Sequence, residues 1–299
     1  MVWQDRDYNR HDGHVAGPPV GFGPRIGRRS VVFWLLLINI GVFILNGILA
    51  RLMDAMPGDG LLFRVGYFSA DTAIYKFQIW RFLSFQFLHA DLAHLFGNML
   101  GIFFFGPLIE SFLGSRRFLR FYLLCGFAGS LGYLLLWSTG LIVSHVSVPL
   151  VGASAGVFGI LIAAALVAPN VNVLLFFVLP IRLRMLVWII VGVAAYIVLA
   201  EGHVPGSNAG GQSAHLGGAG IGFLLIKNPS ILNRLDLARW RSSSNKGGGP
   251  WYRRQEAIQQ DNTEVDRILS KVKEHGLHSL TRREKRTLQR ATEQQRSAG

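Results

Sequence analysis

At 299 residues and 33.1 kDa the chain could form one large or two modest soluble domains, but 51% hydrophobic against 16% charged residues and a mean hydropathy of +0.35 describe a membrane protein. That composition excludes disorder, a collagen repeat and a coiled coil as descriptions of the whole, and the single cysteine, Cys125, can close no intrachain disulfide and build no thiolate metal site. The net charge of +13 is uneven: residues 227–299 hold 16 Lys and Arg against 8 Asp and Glu, whereas Phe121–Ile181 holds none of the four, so the basic tail suits anionic lipid and no nucleic-acid partner is expected.

Residues 1–30 are Gly/Pro-rich and read as a flexible cytoplasmic arm. Val31–Ala50, following Arg25, Arg28 and Arg29, is the first span, an uncleaved signal anchor. The loop over 51–91 balances four basic with four acidic residues, and Trp80, Phe82, Phe85 and Phe87 mark it as half-sunk in the interface. Leu92–Ile109, Phe118–Trp137, Ser154–Ala168, Met185–Ala200 and Ala209–Ile226 complete six expected spans within a domain over 31–227. A linker over 228–250 contains Ser242–Ser244 and Gly247–Pro250. In the extension over 251–299, Val265, Ile268, Leu269 and Val272 have helical spacing, Gly276 is a stop, and Thr281 with Glu284 spells a capping box. A small cytosolic helical pair is expected there.

Arg116, Arg117 and Arg120, then Arg182 and Arg184, alternate with outer loops that carry no net basic excess, which places both termini in the cytoplasm. Asp5, Asp7 and Asp12 in the arm are unlike an organelle transit peptide and favour a bacterial plasma membrane.

A polar side chain inside a bilayer is costly unless paired or hydrated, so such residues are functional candidates. Three groups qualify: His89, His94 and Asn98; Ser154 within Gly152-Ala153-Ser154-Ala155-Gly156; and His215 within Ala214-His215-Leu216-Gly217-Gly218. A helix over Ser154–Ala168 has 15 residues, roughly 22 Å against a hydrocarbon core of roughly 30 Å. It cannot reach both surfaces. The uncharged segment Thr139–Ala153, with Pro149 and Gly152, then reads as an irregular loop lining a wet cavity, with Ser154 at a sunken helix N-terminus.

A serine hydroxyl needs a base, and His215 is the ionisable residue available in the last two spans. No Asp or Glu lies in the spans of Ser154 and His215, which leaves a two-residue arrangement for acyl transfer. His94 and Asn98 at i,i+4 share a helix face and, with the Ser154 amide, offer donors to an oxyanion. Gly218 and Gly222 form a small-residue face near His215, Gly152, Gly156 and Gly159 border Ser154, and Phe158 one turn on can stack on an imidazole. His89 and His94 lack the spacing of a zinc helix, so neither metal nor cofactor is expected, and an aspartyl mechanism lacks its paired carboxylates. Cys125 reads as a small buried hydrophobe. His145, His203, His275 and His278 read as solvated.

Taken in order, Trp80-Arg81, the His89/His94/Asn98 series, Gly-Ala-Ser-Ala-Gly at 152–156 and Ala-His-Leu-Gly-Gly at 214–218 with Gly222 resemble the rhomboid family of intramembrane serine proteases. The resemblance implies an all-α, six-transmembrane-helix bundle with a short central helix starting at the nucleophile. It implies Ser154 as nucleophile, His215 as general base and an oxyanion hole of His94, Asn98 and the Ser154 amide. Phe158 supports the base, His89 is structural or retains water, and Arg81 and Glu110 fix the first loop. Ala155 stands where glycine is common, and Phe158 where tyrosine is frequent. The implied substrates are single-span or multi-span membrane proteins, cleaved in or near a transmembrane segment. The alternative is a non-catalytic rhomboid-like protein that binds transmembrane helices; such relatives usually lose the serine or the histidine, and this chain has both.

Overall fold

The computed structural model describes residues 30–56, 60–142, 145–175, 178–204, 206–234, 264–265, 267–281 and 283–289. The arm over 1–29 and residues 235–250 of the expected linker lie outside the described residues, whereas the start of that linker is partly helical. The chain divides into two compact units, the larger within Pro24–Arg254.

That unit begins with α1 (Val31–Leu52). The first loop is folded, holding α2 (Leu61–Gly66), a π-helical turn at Asp71–Tyr75, α3 (Arg81–Ser84) and a 3-10 turn at Phe85–Phe87. Then come α4 (Leu92–Leu113), α5 (Ser115–Ser138), α6 (Ser154–Val167), α7 (Leu183–Glu201), α8 (Ala209–Lys227) and the short α9 (Ser230–Arg234). Local chemistry sets the boundaries. Asp91 caps α4 by accepting from the His94 N–H at 2.8 Å, and Gly114 at φ 82° lets α4 turn directly into α5. Pro169 stops α6 just before it, because the residue ahead of a proline avoids helical backbone.

Helices α1, α4, α5 and α7 are long and apolar enough to cross a membrane. The remaining two expected spans are helical but different in character. Helix α6 has 14 residues, about 21 Å, and α8 carries Gly211, Gln212, Ser213 and His215 in its first half. Between α6 and α7 the sequence suggests only a connection, but the chain forms an antiparallel hairpin, β1 (Asn172–Leu175) and β2 (Leu179–Arg182), with Asn172 opposite Arg182.

Helix α8 packs most extensively on α5 and α6, and small residues permit it. A Cβ on Gly222 would lie 2.6 Å from the Gly159 Cα, and one on Gly132 would meet Gly217 and the Ser213 carbonyl at 3.0 Å. Gly218 faces the Ala155 carbonyl too closely for any side chain. Two apolar clusters fill the remaining space. One runs through Ile102, Ile109, Phe118, Tyr122, Cys125 and Ile160 between α4, α5 and α6. The other, with Phe68, Phe85, Tyr133, Leu150 and Ala214, glues the first loop to α5 and α8.

One expectation needs correction. Glu110 does not fix the first loop. Its carboxylate accepts from the Val31 and Val32 N–H groups at 2.8 and 3.2 Å and from the Ser30 and Ser115 hydroxyls, both at 2.6 Å. The reason is distance: Glu110 is 18 residues beyond Leu92 on α4, about 27 Å along the axis from the end that meets the loop. There it satisfies amides that the start of α1 would otherwise leave unpaired, at the end of the helix dipole that favours negative charge.

In the second unit, residues 267–275 are helical and Gly276 at φ 74° ends the helix by donating to the Val272 carbonyl at 2.9 Å. Residues 283–289 form the next helix, opened by reciprocal capping: Glu284 accepts from the Thr281 N–H at 2.8 Å, and the Glu284 N–H donates to the Thr281 hydroxyl at 3.3 Å. Lys271 and Arg267 also reach Glu284 at 3.1 Å, and Ile268 is buried beneath them. The Thr281 amide first, then the Lys271 ammonium, hold the Glu284 carboxyl down at about 2.

Candidate active site

The first loop positions the segment that leads into Ser154. Phe68 and Leu150 exchange both backbone hydrogen bonds, at 3.0 and 2.7 Å, and the Gly152 N–H donates to the Phe85 carbonyl at 3.0 Å. The irregular segment ahead of Ser154 is thereby pinned to a folded loop. Arg81 stiffens that loop in turn. It is buried, donates to the Tyr67 carbonyl at 2.5 Å, the Arg64 carbonyl at 2.8 Å and the Gln78 side chain at 2.5 Å, and lies over the Tyr67 ring. Trp80 stays exposed and donates its indole N–H to the Val65 carbonyl at 3.0 Å.

Gly152 has φ 121°, a conformation closed to ordinary side chains, and a Cβ there would lie 2.6 Å from the His94 ring. Glycine at this position lets the loop pass directly against His94 and Asn98 on α4. The next turn delivers Ser154 as the first residue of α6, where the leading backbone N–H groups have no intrahelical acceptor.

Ser154 Oγ lies 2.7 Å from His215 Nε2, across 61 positions of sequence. The Phe158 ring stacks on the imidazole, with centroids 4.2 Å apart and planes 16° from parallel. The other imidazole nitrogen, Nδ1, lies 2.9 Å from Gln212 Oε1. Sequence reasoning missed Gln212 because it sought an acidic third member; the available signal was an amide at i,i−3 from the histidine on one helix face.

These groups open onto a cavity of about 1050 Å³ lined by His94, Asn98, Tyr133, Ser154, Phe158 and His215 among others. His145, expected to be merely solvated, is exposed but also lines this cavity. Asn98 is buried and its Nδ2 has no partner among the described residues. His89 sits outside the cavity lining, buried with its ring edge-on to His94 at 5.2 Å. Gly218 and Gly222 act at a distance from the chemistry, holding α8 against α6. Cys125 is fully buried beside Gly159.

A family model described as the rhomboid domain matches residues 76–227, a segment that contains His94, Asn98, Ser154, Phe158, Gln212 and His215. The chain belongs to the rhomboid family. A rhomboid-like protein 1 of Arabidopsis thaliana is 32% identical over 169 residues, covering 56% of this chain and 39% of that protein. The mitochondrial rhomboid-like protein 12 of the same plant is 28% identical over 204 residues, 64% of this chain and 56% of its own length. Rhomboid-like protease 3 of Toxoplasma gondii is 29% identical over 140 residues, 46% of this chain and 48% of its length. The chain thus spans between 39% and 56% of the length of these relatives. Residues 253–294 match a second model, a family of unknown function.

Proposed function

We propose that this rhomboid protein is an intramembrane serine endopeptidase that cleaves membrane-protein substrates in or near a transmembrane segment. The observation that carries the reading is the 2.7 Å approach of Ser154 Oγ to His215 Nε2 at the floor of a cavity. His215 removes the hydroxyl proton as Ser154 attacks the peptide carbonyl. The negative oxygen of the tetrahedral intermediate is met by the Asn98 amide, the His94 ring and the Ser154 N–H. The imidazolium then returns its proton to the departing amine, leaving an acyl-enzyme. Water, deprotonated by the same imidazole, releases the new carboxylate and regenerates the serine.

The site lies on the side of the bundle opposite Glu110, so a substrate helix meets it near one membrane surface. An extended carbonyl is needed at Ser154, and small or helix-weakening residues near the cut are favoured for that reason. In this reading all six helices belong to the membrane domain, with both termini cytoplasmic as the distribution of arginines indicates.

The test is proteolysis of a single-span substrate by purified protein in detergent. Ser154→Ala and His215→Ala are each expected to lose activity by about 10³-fold or more, and a fluorophosphonate should label Ser154 only while His215 is intact. Equal cleavage by wild type and both variants would refute the reading.

A further inference from the structure

We infer that Gln212 is the positioning residue of this site: its amide carbonyl selects the imidazole tautomer that lets His215 act as a base. This inference rests on the proteolytic reading above.

His215 is held on three sides. Ser154 meets Nε2 at 2.7 Å, the Phe158 ring covers one face at 4.2 Å, and Gln212 Oε1 meets Nδ1 at 2.9 Å. A carbonyl oxygen only accepts, so this last contact requires the proton on Nδ1. A neutral imidazole carries one proton, and its Nε2 therefore presents a lone pair to the serine hydroxyl. With the amide reversed, Gln212 would donate to Nδ1, the ring proton would move to Nε2, and no base would face Ser154. The carbonyl contact also persists when the imidazolium forms, because Nδ1 remains a donor through the whole cycle.

An amide suits this place better than a carboxylate. Residues Phe121–Ile181 supply no Asp, Glu, Lys or Arg, so α5 and α6 bring no charge to the site. The titratable groups that share the cavity with His215 are His94 on α4, His145 in the loop before α6 and Tyr133 on α5. A carboxylate among them would enter an apolar bundle unpaired, whereas the amide orients the ring without a buried charge. Gln212 is not part of the cavity lining, so it acts through His215 and not on substrate.

The experiment compares wild type, Gln212→Leu and Gln212→Glu in cleavage of a single-span substrate and in the rate of fluorophosphonate labelling, with Ser154→Ala as the blank. Leucine keeps the bulk and removes the acceptor. It should lower kcat roughly 10- to 100-fold, the range seen for partners that orient metal-ligating histidines, leave KM unchanged, and slow labelling by the same factor. Glutamate restores an acceptor, so it should recover rate, and its negative charge should move the acidic limb of the pH profile to higher pH by stabilising the imidazolium. Recovery of rate by glutamate but not by leucine, at equal melting temperatures, is what a purely structural glutamine would not produce. Leucine matching wild type overturns the inference while leaving the protease reading intact, and so does loss of activity in both variants at unchanged melting temperature. A wild-type chain that neither cleaves nor labels overturns both.

Discussion

Asn98 lines the cavity and keeps a buried amide nitrogen with no partner among the described residues. Leaving such a donor unpaired costs about 1–3 kcal/mol in the resting protein, so fold stability alone would favour replacing it. On the proteolytic reading, a donor satisfied only during reaction resolves the conflict. Asn98→Ala is expected to lower kcat by about 10²-fold with an unchanged or raised melting temperature, read by steady-state kinetics beside a thermal melt. His94 also lines the cavity, on a helix end that Asp91 caps through the His94 backbone N–H, so replacing its ring leaves that cap in place.

At the scale of elements, the meeting of Ser154 and His215 depends on how closely α8 can approach α6. Gly222→Val drives a branched side chain into the Gly159 backbone, where even a Cβ would be 2.6 Å from the Cα. The expected cost is roughly 1–3 kcal/mol, with a lower melting temperature and slower labelling of Ser154 as the helices part. Gly220→Ala, on the open face of the same helix, should lower neither. Much of this was legible in the sequence: apolar runs mark the long helices, and an uncharged interior makes a lone serine and histidine conspicuous. The hairpin over 172–182 was not, since a short apolar run flanked by Asn172 and Pro180 has no period that separates strand from membrane segment. Gln212 and the true partners of Glu110 escaped for different reasons. Gln212 stands three residues before His215 on the same helix and was passed over in the search for an acidic partner, whereas the partners of Glu110 come from α1 and α5, and spacing along one segment does not reveal what stands across from it.

For the whole molecule, the two compact units answer to different forces. The membrane unit is packed by glycine faces and apolar clusters, whereas the described part of the small unit gathers on one carboxylate, Glu284, with four donors: the Thr281 N–H and hydroxyl, Lys271 and Arg267. Folding lowers this carboxyl from 4.5 to about 2. Its contribution is therefore complete above pH 4.5 and is lost as the pH falls through that interval towards 2. Pepsin cuts within 264–289 of the intact protein should increase over this range, and Glu284→Gln should be cut readily throughout. Glu110 plays a comparable part in the larger unit, but from the pole remote from the serine. It rivets the entry of α1, the exit of α4 and the entry of α5 at a single point. Parting those four bonds together is far harder than sliding apolar surfaces past one another. On the proteolytic reading, the opening that admits a substrate helix lies at the Ser154 end of the bundle, with the Glu110 carboxylate as its fulcrum.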